Sequence, residues 1–416
     1  MNLKSDPNQI NNKAFIKIHH IGGRGGGVNT FPLPNQFNNE ILNVIYDADE
    51  SCIDHIRDQW INKKVLVMPY CLSNENGKAM FNLNYDPYSN SLFKLNSDYG
   101  HYYHSGHDKD TDYLNSGAMK TIETININTK KLDTLVQDNL VPLPDVLLMS
   151  CAGAESNILE GSDECLKNSV VAVTTRVHFA DVRQDGPLFG DIDQLMKKNN
   201  FMLVNIEPHY TGYLRISKNC RGSGVPLSGN AIYLIKPSFV TGENNLEISV
   251  KLEKLALMAL TYGYTEIAYD AINRSLKIEP TVEKKNLCQE FIYKFYYEVK
   301  KYKNLPILWH DRWSHEKIKE RTKSKKLDTS SRLKAHAEKF KNSPFKHTLI
   351  ILFKILSKLF LKLKVLFSKL INIFGINIEF IPQTTKFEKF LLDNGFNNAV
   401  DQIKNRRKGY LKTKIN

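Results

Sequence analysis

The stretch that most restricts the fold runs from residue 143 to 190, LPDVLLMSCAGAESNILEGSDECLKNSVVAVTTRVHFADVRQDGPLFG. Residues 146–149 are a short apolar run between Pro144-Asp145 and the small residues 150–153, the pattern of a buried strand ending in a turn. From 154 to 166 the apolar positions Ile158, Leu159 and Leu166 fall at helical spacing, with Glu155 at the start and Lys167 just past the end, both signs suiting the helix dipole. Residues 170–173 then read as a second buried strand that Val177 and Phe179 extend. Strand, helix and strand with short connections make the βαβ unit of a parallel sheet. Ligands of such sheets sit beyond the carboxyl ends of the strands, which directs attention to 150–155 and 175–184.

Upstream, 14–18 is a short strand candidate followed by HHIGGRGGGVNTF, with Gly22, Gly23 and Gly26 among its five glycines. Such a turn permits positive φ and a close backbone approach to a cofactor; a flexible loop is the alternative. Residues 41–46 read as a strand ending in Asp47, with Asp49 and Glu50 next. An acid about 20 residues beyond a glycine turn can bind ribose hydroxyls. Asp47 takes that role, while Asp49 can cap a helix over 50–60. Further strands are expected at 65–71, 78–83, 122–127, 201–206 and 231–235, and helices at 129–139 and 192–198, with 212–229 irregular. His101, His104 and His107 would share one side of a helix, but Gly100 and Gly106 argue against one, so 86–121 reads as a polar substrate-side loop with no metal. Alternating β and α up to about residue 240 gives an α/β doubly wound sheet over 14–240, after a disordered 1–13.

With 416 residues and 42% hydrophobic content the chain can bury one sizeable core and carry an appended region. Its six cysteines form no CxxC pair, which fits neither a zinc site nor a disulfide framework and places the protein in a reducing compartment. The first residues are polar and lack an apolar core, so no signal peptide is expected and the location is read as cytoplasmic. The net charge of +13 is concentrated from about Lys300 onward, and beyond that bulk charge nothing resembles a nucleic-acid reader.

VIYDADES, PYCLSNENGKAMF with SNSLFKL, TKKLDTLV, PDVLLMSCAGAESNILEGSDECL and GPLFGDIDQLMKKNNFMLV, in that order, resemble the FkbM family of S-adenosylmethionine-dependent methyltransferases over roughly residues 15–237. The resemblance implies a Rossmann-like class I methyltransferase fold, S-adenosylmethionine as cofactor, and methylation of hydroxyl oxygens on sugars or polyketide-like small molecules. It also implies cofactor binding by Gly22, Gly23, Gly26, Asp47, Asp49, Leu72 and Ser73. Three departures stand out. His20 replaces the acid that usually ends the first strand. LMSCAGAE replaces a pattern reading Lys-Ile-Asp-Val-Glu-Gly-Ala-Glu, so Ser150 and Ala152 stand at acid positions. Arg176 stands where a Glu is usual after the fifth strand.

Transfer to an alcohol needs a base, because a neutral hydroxyl is a poor nucleophile. His178, Glu155 and Asp181 are the candidates, with His178 first because its ordinary pKa lies near about 6.5. A core-edge histidine beside Phe179 and a dipole-pairing Glu155 are the competing readings. Two functions therefore stand: an O-methyltransferase acting on a glycan, glycolipid or other small-molecule precursor, or a catalytically degenerate fold serving as a binding or membrane-associated accessory in glycan biosynthesis.

After residue 240 the composition turns helical, with candidates at 252–260, 266–276 and 285–302 inside a region taken as 241–342. From 347 to 375, HTLIILFKILSKLFLKLKVLFSKLINIFG gathers lysines on one side of a helical wheel and Leu, Ile, Phe and Val on the other. No apolar run approaches the roughly 20 residues a span requires, so this part of 343–416 is expected to lie on an anionic membrane surface, placing the protein peripherally at the inner face. A helix packed on the protein's own core is the alternative.

Overall fold

The computed structural model describes residues 14–25, 33–60, 64–96, 103–108, 111–114, 117, 119–214, 225–280, 286–301 and 385–404, with backbone alone at 25, 103–108, 111–114, 208–214 and 385–386. The membrane-surface segment 347–375 and Gly26 lie outside them. Strands β1 (Ile16–Ile21), β2 (Ile41–Tyr46) and β3 (Val65–Met68) come first. They are followed by β4 (Cys71–Leu72), β5 (Gly77–Asn84), β6 (Tyr103–Asp108), β7 (Thr111–Leu114) and β8 (Thr121–Lys130). The last are β9 (Val146–Met149), β10 (Ala172–His178), β11 (Phe201–Leu214) and β12 (Val225–Ile235). Helices α1 (Ile53–Gln59), α2 (Leu132–Gln137), α3 (Glu155–Glu160), α4 (Asp163–Asn168) and α5 (Phe189–Lys198) lie between the strands. Beyond the strands come α6 (Asn245–Thr261), α7 (Thr265–Ile278), α8 (Leu287–Lys301) and α9 (Thr385–Asp393).

The main sheet has the order β3-β2-β1-β9-β10-β12-β11-β6-β7. From β3 to β10 all neighbours are parallel; from β10 through β12, β11 and β6 to β7 they are antiparallel. A parallel half followed by an antiparallel β12/β11 pair is the class I methyltransferase arrangement expected from the sequence, here extended at its edge by β6 and β7. The chain winds outward from β1 to β3 and then crosses back to β9, so the switch point lies between the carboxyl ends of β1 and β9. β4, β8 and β5 form a second, small sheet.

The parallel strands β2 and β9 are largely apolar along their length because both faces are covered. All of ILNVIY in β2 is buried, as is most of VLLM in β9. β1 carries two buried histidines, and each is hydrogen-bonded: His19 Nδ1 to Tyr46 Oη at 2.9 Å and His20 Nε2 to Asn43 Oδ1 at 3.0 Å. The strand expected at 14–18 lies two residues later because Ile16 and Ile18 anchor a pairing that runs on to Ile21.

Other expectations are corrected for identifiable reasons. The single strand expected at 65–71 is two, broken around Pro69, which cannot donate to a ladder. The helix expected over 154–166 divides at Gly161-Ser162, where Gly161 runs so close to the backbone that a Cβ would lie 2.1 Å from the Ser73 carbonyl oxygen. The loop expected at 86–121 contains β6 and β7, which extend the sheet at its edge. Much of the irregular 212–229 belongs to the strands: β11 runs to Leu214 and β12 starts at Val225, with register shifts around Pro208 that hide the alternation.

Among the described residues, those up to 301 and from 387 to 404 belong to one compact unit. Helix α6 is apolar on every side over its C-terminal half, where 255–260 are all buried, as befits a helix end covered all round. Asn244 caps it by accepting from the Glu247 amide at 3.0 Å. Lys254 of α6 reaches Asp145 just before β9 at 2.7 Å, and the same carboxylate accepts from the Lys17 amide of β1 at 2.9 Å. Phe291 of α8 stacks on Phe396 with centroids 4.5 Å apart, so the C-terminal segment closes the same core.

This continuity predicts the response to a cavity in α6. Leu255→Ala should cost about 2–5 kcal/mol. Urea unfolding followed by far- and near-ultraviolet circular dichroism should show one shifted transition; a separate early loss of helix would refute a shared core.

Candidate active site

At the switch point the chain turns sharply. Gly22 has φ of +87°, donates to the Tyr46 carbonyl at 3.0 Å, and passes so near β9 that a Cβ would lie 2.3 Å from the Ser150 carbonyl oxygen. At Gly23 a Cβ would lie 2.4 Å from Ile45 Cγ2. Neither position has room for a side chain. The turn is held from below by Asp47: Oδ2 accepts from the Arg24 amide at 2.8 Å and Oδ1 from the Asp49 amide at 3.0 Å. Asp49 in turn accepts from the Ser51 amide at 2.9 Å, capping the short turn that leads into α1, and pairs with the Arg24 guanidinium.

Opposite stands the turn after β9. Ala152 (φ +52°) and Gly153 (φ +109°) are both left-handed, a costly conformation for alanine. Glu155 compensates. Its buried carboxylate accepts from the Cys151 amide at 2.7 Å and the Gly153 amide at 2.9 Å, and Ser91 Oγ donates to the Ala152 carbonyl at 2.8 Å. Burial raises the Glu155 pKa, while these amides pull it down. The Cys151 thiol donates to the Ile21 carbonyl at 3.3 Å and burial pushes its pKa well up, so it is no nucleophile.

Between the two turns opens a cavity of about 890 Å³. One end is lined by Gly22, Gly23, Asp47, Asp49, Tyr70 and Leu72. The other end is built by strand register. Arg176 of β10 is opposite Asn230 of β12, which is opposite Glu207 of β11; Thr174, Ile232 and Asn205 form the next row, and His178 and Ser228 the last described. All of these line the cavity, while the alternate residues Val173, Val177, Ala231 and Tyr233 are buried in the core. Tyr262, at the end of α6, closes this wall by bonding Thr174 Oγ1 at 2.6 Å, and Asn398, Asp401 and Gln402 line it from the C-terminal segment.

The structure therefore gathers Gly22, Gly23, Asp47, Asp49, Leu72 and His178 around one cavity. It does not bring the other sequence candidates there. Glu155 clasps its own turn, Asp181 is exposed away from the lining, and Ser73 hydrogen-bonds Asn74 below the small sheet. His178 presents both ring nitrogens buried and without a hydrogen-bond partner among the described residues. Burial, with Arg183 and Arg176 nearby, lowers its pKa to about 4, so the ring is neutral at neutral pH and able to accept a proton. Among the described residues no cluster of three or more His, Cys, Asp or Glu is placed to hold a metal, and no helix is long and apolar enough to cross a membrane.

Residues 19–203 match the family model described as the methyltransferase FkbM domain. Over this part the chain is similar to the FkbM methyltransferase domain. A search of curated proteins finds no match. Among solved structures the chain is similar to a SAM-dependent methyltransferase from Aquifex aeolicus, at 10% identity over 55% of this chain and 89% of that one, with a TM-score of 0.25. It is also similar to magnesium protoporphyrin IX methyltransferase from Synechocystis PCC 6803 (8%, 55% and 74%, 0.27) and to M. capricolum TrmK (10%, 72% and 97%, 0.23). At those scores the likenesses carry no weight; the strand order does.

Much of the acceptor-side wall lies beyond the FkbM domain's matched residues, in β11, β12, α6 and the C-terminal segment. The polar positions of β10 (Thr174, Arg176, His178) and β12 (Ser228, Asn230) recur with period two, a signal present in the sequence. Tyr262, Asn398, Asp401 and Gln402 leave no such trace, since only the tertiary fold brings them to the cavity.

A pH dependence follows from the neutral histidines. His178 at about 4 and His19 at about 3, the latter lowered chiefly by burial, both bind protons less readily folded than unfolded. The unfolded chain takes up these protons first, so stability is full above about pH 6.5 and falls as pH drops toward 4, by about 1.4 kcal/mol per pH unit for each proton. Urea midpoints between pH 7 and 4.5 should show this slope, and His178→Asn should flatten it; an unchanged slope would mean His178 is not held neutral.

Proposed function

We propose that the chain is an S-adenosylmethionine-dependent O-methyltransferase acting on a hydroxyl of a glycan, glycolipid or other small-molecule precursor. The observation that carries this is one cavity with two unlike ends: a glycine turn and ribose-competent acid at the switch point, and a regular polar array on β10, β12 and β11. The cofactor end fits the group. Asp47, although each oxygen takes one backbone amide, keeps further lone pairs for ribose hydroxyls. Tyr70 and Leu72 offer apolar surface for a base, and the volume suits a cofactor plus an acceptor. S-adenosylmethionine supplies the electrophilic methyl.

The protein's work lies on the acceptor side. Asn205, Asn230 and Ser228 offer donors and acceptors at strand spacing, which suits several hydroxyls on a rigid ring. His178 takes the proton from the attacking hydroxyl at either ring nitrogen. Its low pKa keeps it in the accepting form throughout the physiological range, at some loss of basicity. The turn strained at Ala152 fixes the wall between the two ends, which is what alignment for an in-line displacement needs.

A second reading has its own observation. No carboxylate stands at Ser150, Ala152 or Arg176, and the one remaining acid, Glu155, is spent on backbone amides. A degenerate domain that binds a glycan without methylating it would look the same there. The basic amphipathic 347–375 is proposed to hold either version at an anionic membrane surface, near lipid-linked precursors.

Isothermal titration with S-adenosylmethionine separates the readings. Wild type should bind at micromolar Kd, Asp47→Ala at least tenfold more weakly, and His178→Asn nearly as wild type. With labelled cofactor and a glycan pool, His178→Asn should lower transfer by roughly 10²–10⁴-fold, the usual worth of a base. Binding without transfer by the wild type would favour the degenerate reading; no binding would end the methyltransferase reading and leave the degenerate one.

The membrane proposal is tested with the full chain. It should co-sediment with vesicles containing phosphatidylserine and be released by added salt. Equal recovery with neutral phosphatidylcholine vesicles would remove the proposal.

A further inference from the structure

One wall of the cavity comes from a helix far outside the residues that match the family. Residues 397–404 are helical. Phe396, Ala399, Val400 and Ile403 recur at spacings of three and four and pack into or against the core. Asn398, Asp401 and Gln402 therefore share the other face, and all three line the cavity. The helix is held close at the turn after α6. Gly263 in that turn has φ of +88°, and a Cβ on it would lie 2.8 Å from Gln402 Cγ and 3.0 Å from the Asn398 carbonyl oxygen. Asn398 Nδ2 donates to the Thr261 carbonyl at 3.4 Å. Between Thr261 and Gly263 stands Tyr262, whose hydroxyl bonds Thr174 Oγ1 of β10 at 2.6 Å. The helix is thereby tied to the strand that begins the polar rows.

Asp401 and Gln402 are exposed, and among the described residues neither side chain has a hydrogen-bond or ion-pair partner. One offers a carboxylate that accepts, the other an amide that both donates and accepts. The rest of the wall has the same character. Asn205, Asn230 and Ser228 present amides and a hydroxyl, and among the described residues no lysine lines the cavity. Arg176 and Arg183 each share the field of the buried Glu155 carboxylate. Glu207 and Asp86 join Asp401 on the lining. An anionic acceptor would meet those acids, whereas an uncharged ring bearing hydroxyls would find donors and acceptors throughout.

Resting on the function proposed above, we infer that the helix at 397–404 selects the acceptor, with Asp401 and Gln402 hydrogen-bonding neighbouring hydroxyls of an uncharged pyranose ring. Asn398 is a positioning residue that holds the helix to the turn at Tyr262. Selection is then made by side chains that the matched residues 19–203 do not include, apart from the residues that would hold the cofactor. A hydroxyl of the opposite configuration would leave one of these polar groups without its partner, so epimers are told apart. Both side chains are solvated when the site is empty, so each hydrogen bond is worth only about three- to tenfold in affinity.

The test uses the full chain with and without S-adenosylhomocysteine. Saturation-transfer NMR titrations compare the neutral epimers methyl β-D-glucoside, methyl β-D-galactoside and methyl α-D-mannoside, with methyl β-D-glucuronide as the charged probe. One epimer should bind about threefold or more tighter than the others, and the glucuronide no tighter than the glucoside. Asp401→Ala and Gln402→Ala should each weaken the favoured sugar by about three- to tenfold and level the preference. S-adenosylhomocysteine affinity should stay within about twofold in both variants, which also reports that they fold. Asn397→Ala, on the same helix but off the cavity lining, should match the wild type throughout. Several results would overturn the inference: equal binding of the epimers, no binding by any, tighter binding of the glucuronide, a preference that survives both alanine variants, or an equal loss in Asn397→Ala. The methyltransferase proposal would stand in each case if the homocysteine product binds. Failure of the product to bind would count against that proposal, while the sugar titrations run without it still decide the role of the helix.

Discussion

Everything functional in this protein depends on how closely the end of β1 approaches the end of β9. Gly22 must pass the Ser150 carbonyl with no Cβ between them, and it does so in a left-handed conformation. Two hydrogen bonds fix the junction: the Gly22 amide to Tyr46 of β2 and the Ser150 amide to Ile21 of β1, each at 3.0 Å. Three strand ends are thus tied at one point, from which the chain departs to opposite sides of the sheet. The crevice left by that divergence is the cavity. Asp47 and Glu155, one on each side, spend their carboxylates holding turns, so both walls are preorganised by the same device: an acid accepting from backbone amides.

The sequence was legible where burial is simple. β2 and β9 begin and end where their apolar runs do, because strands covered on both faces carry hydrophobic residues at every position. It was misleading where one residue type overrides a pattern. Pro69 splits an apparently single strand between two sheets, and Pro208 sits among the register shifts that disguise the long β11/β12 pair. Gly161 divides an apparently continuous helix for a tertiary reason, the passage of the Ser73 backbone, which no local pattern records.

The site divides along the same line. Gly22, Gly23, Asp47 and His178 could be named from the chain alone because each follows a strand with a recognisable end. Glue and chemistry were harder to separate: Glu155 looks like a catalytic acid in sequence and is a clasp in the structure, since only the fold shows its oxygens filled by the Cys151 and Gly153 amides. Arg183 was missed for the opposite reason. It lies five residues past β10 in a stretch without periodicity, and its inward course depends on carbonyls contributed by residues 89 and 93.

His178 sets the terms of the chemical step on the acceptor side. A base whose pKa is near 4 is always ready to accept a proton yet gains little from doing so. The cause of that low value, beyond burial, is the positive charge of Arg183 and Arg176, the same two guanidiniums that act electrostatically on the buried Glu155 carboxylate. The clasp that holds the turn after β9 and the polar wall on β10 are therefore one charged network, so a change at Glu155 reaches the histidine through the arginines as well as through the turn it braces.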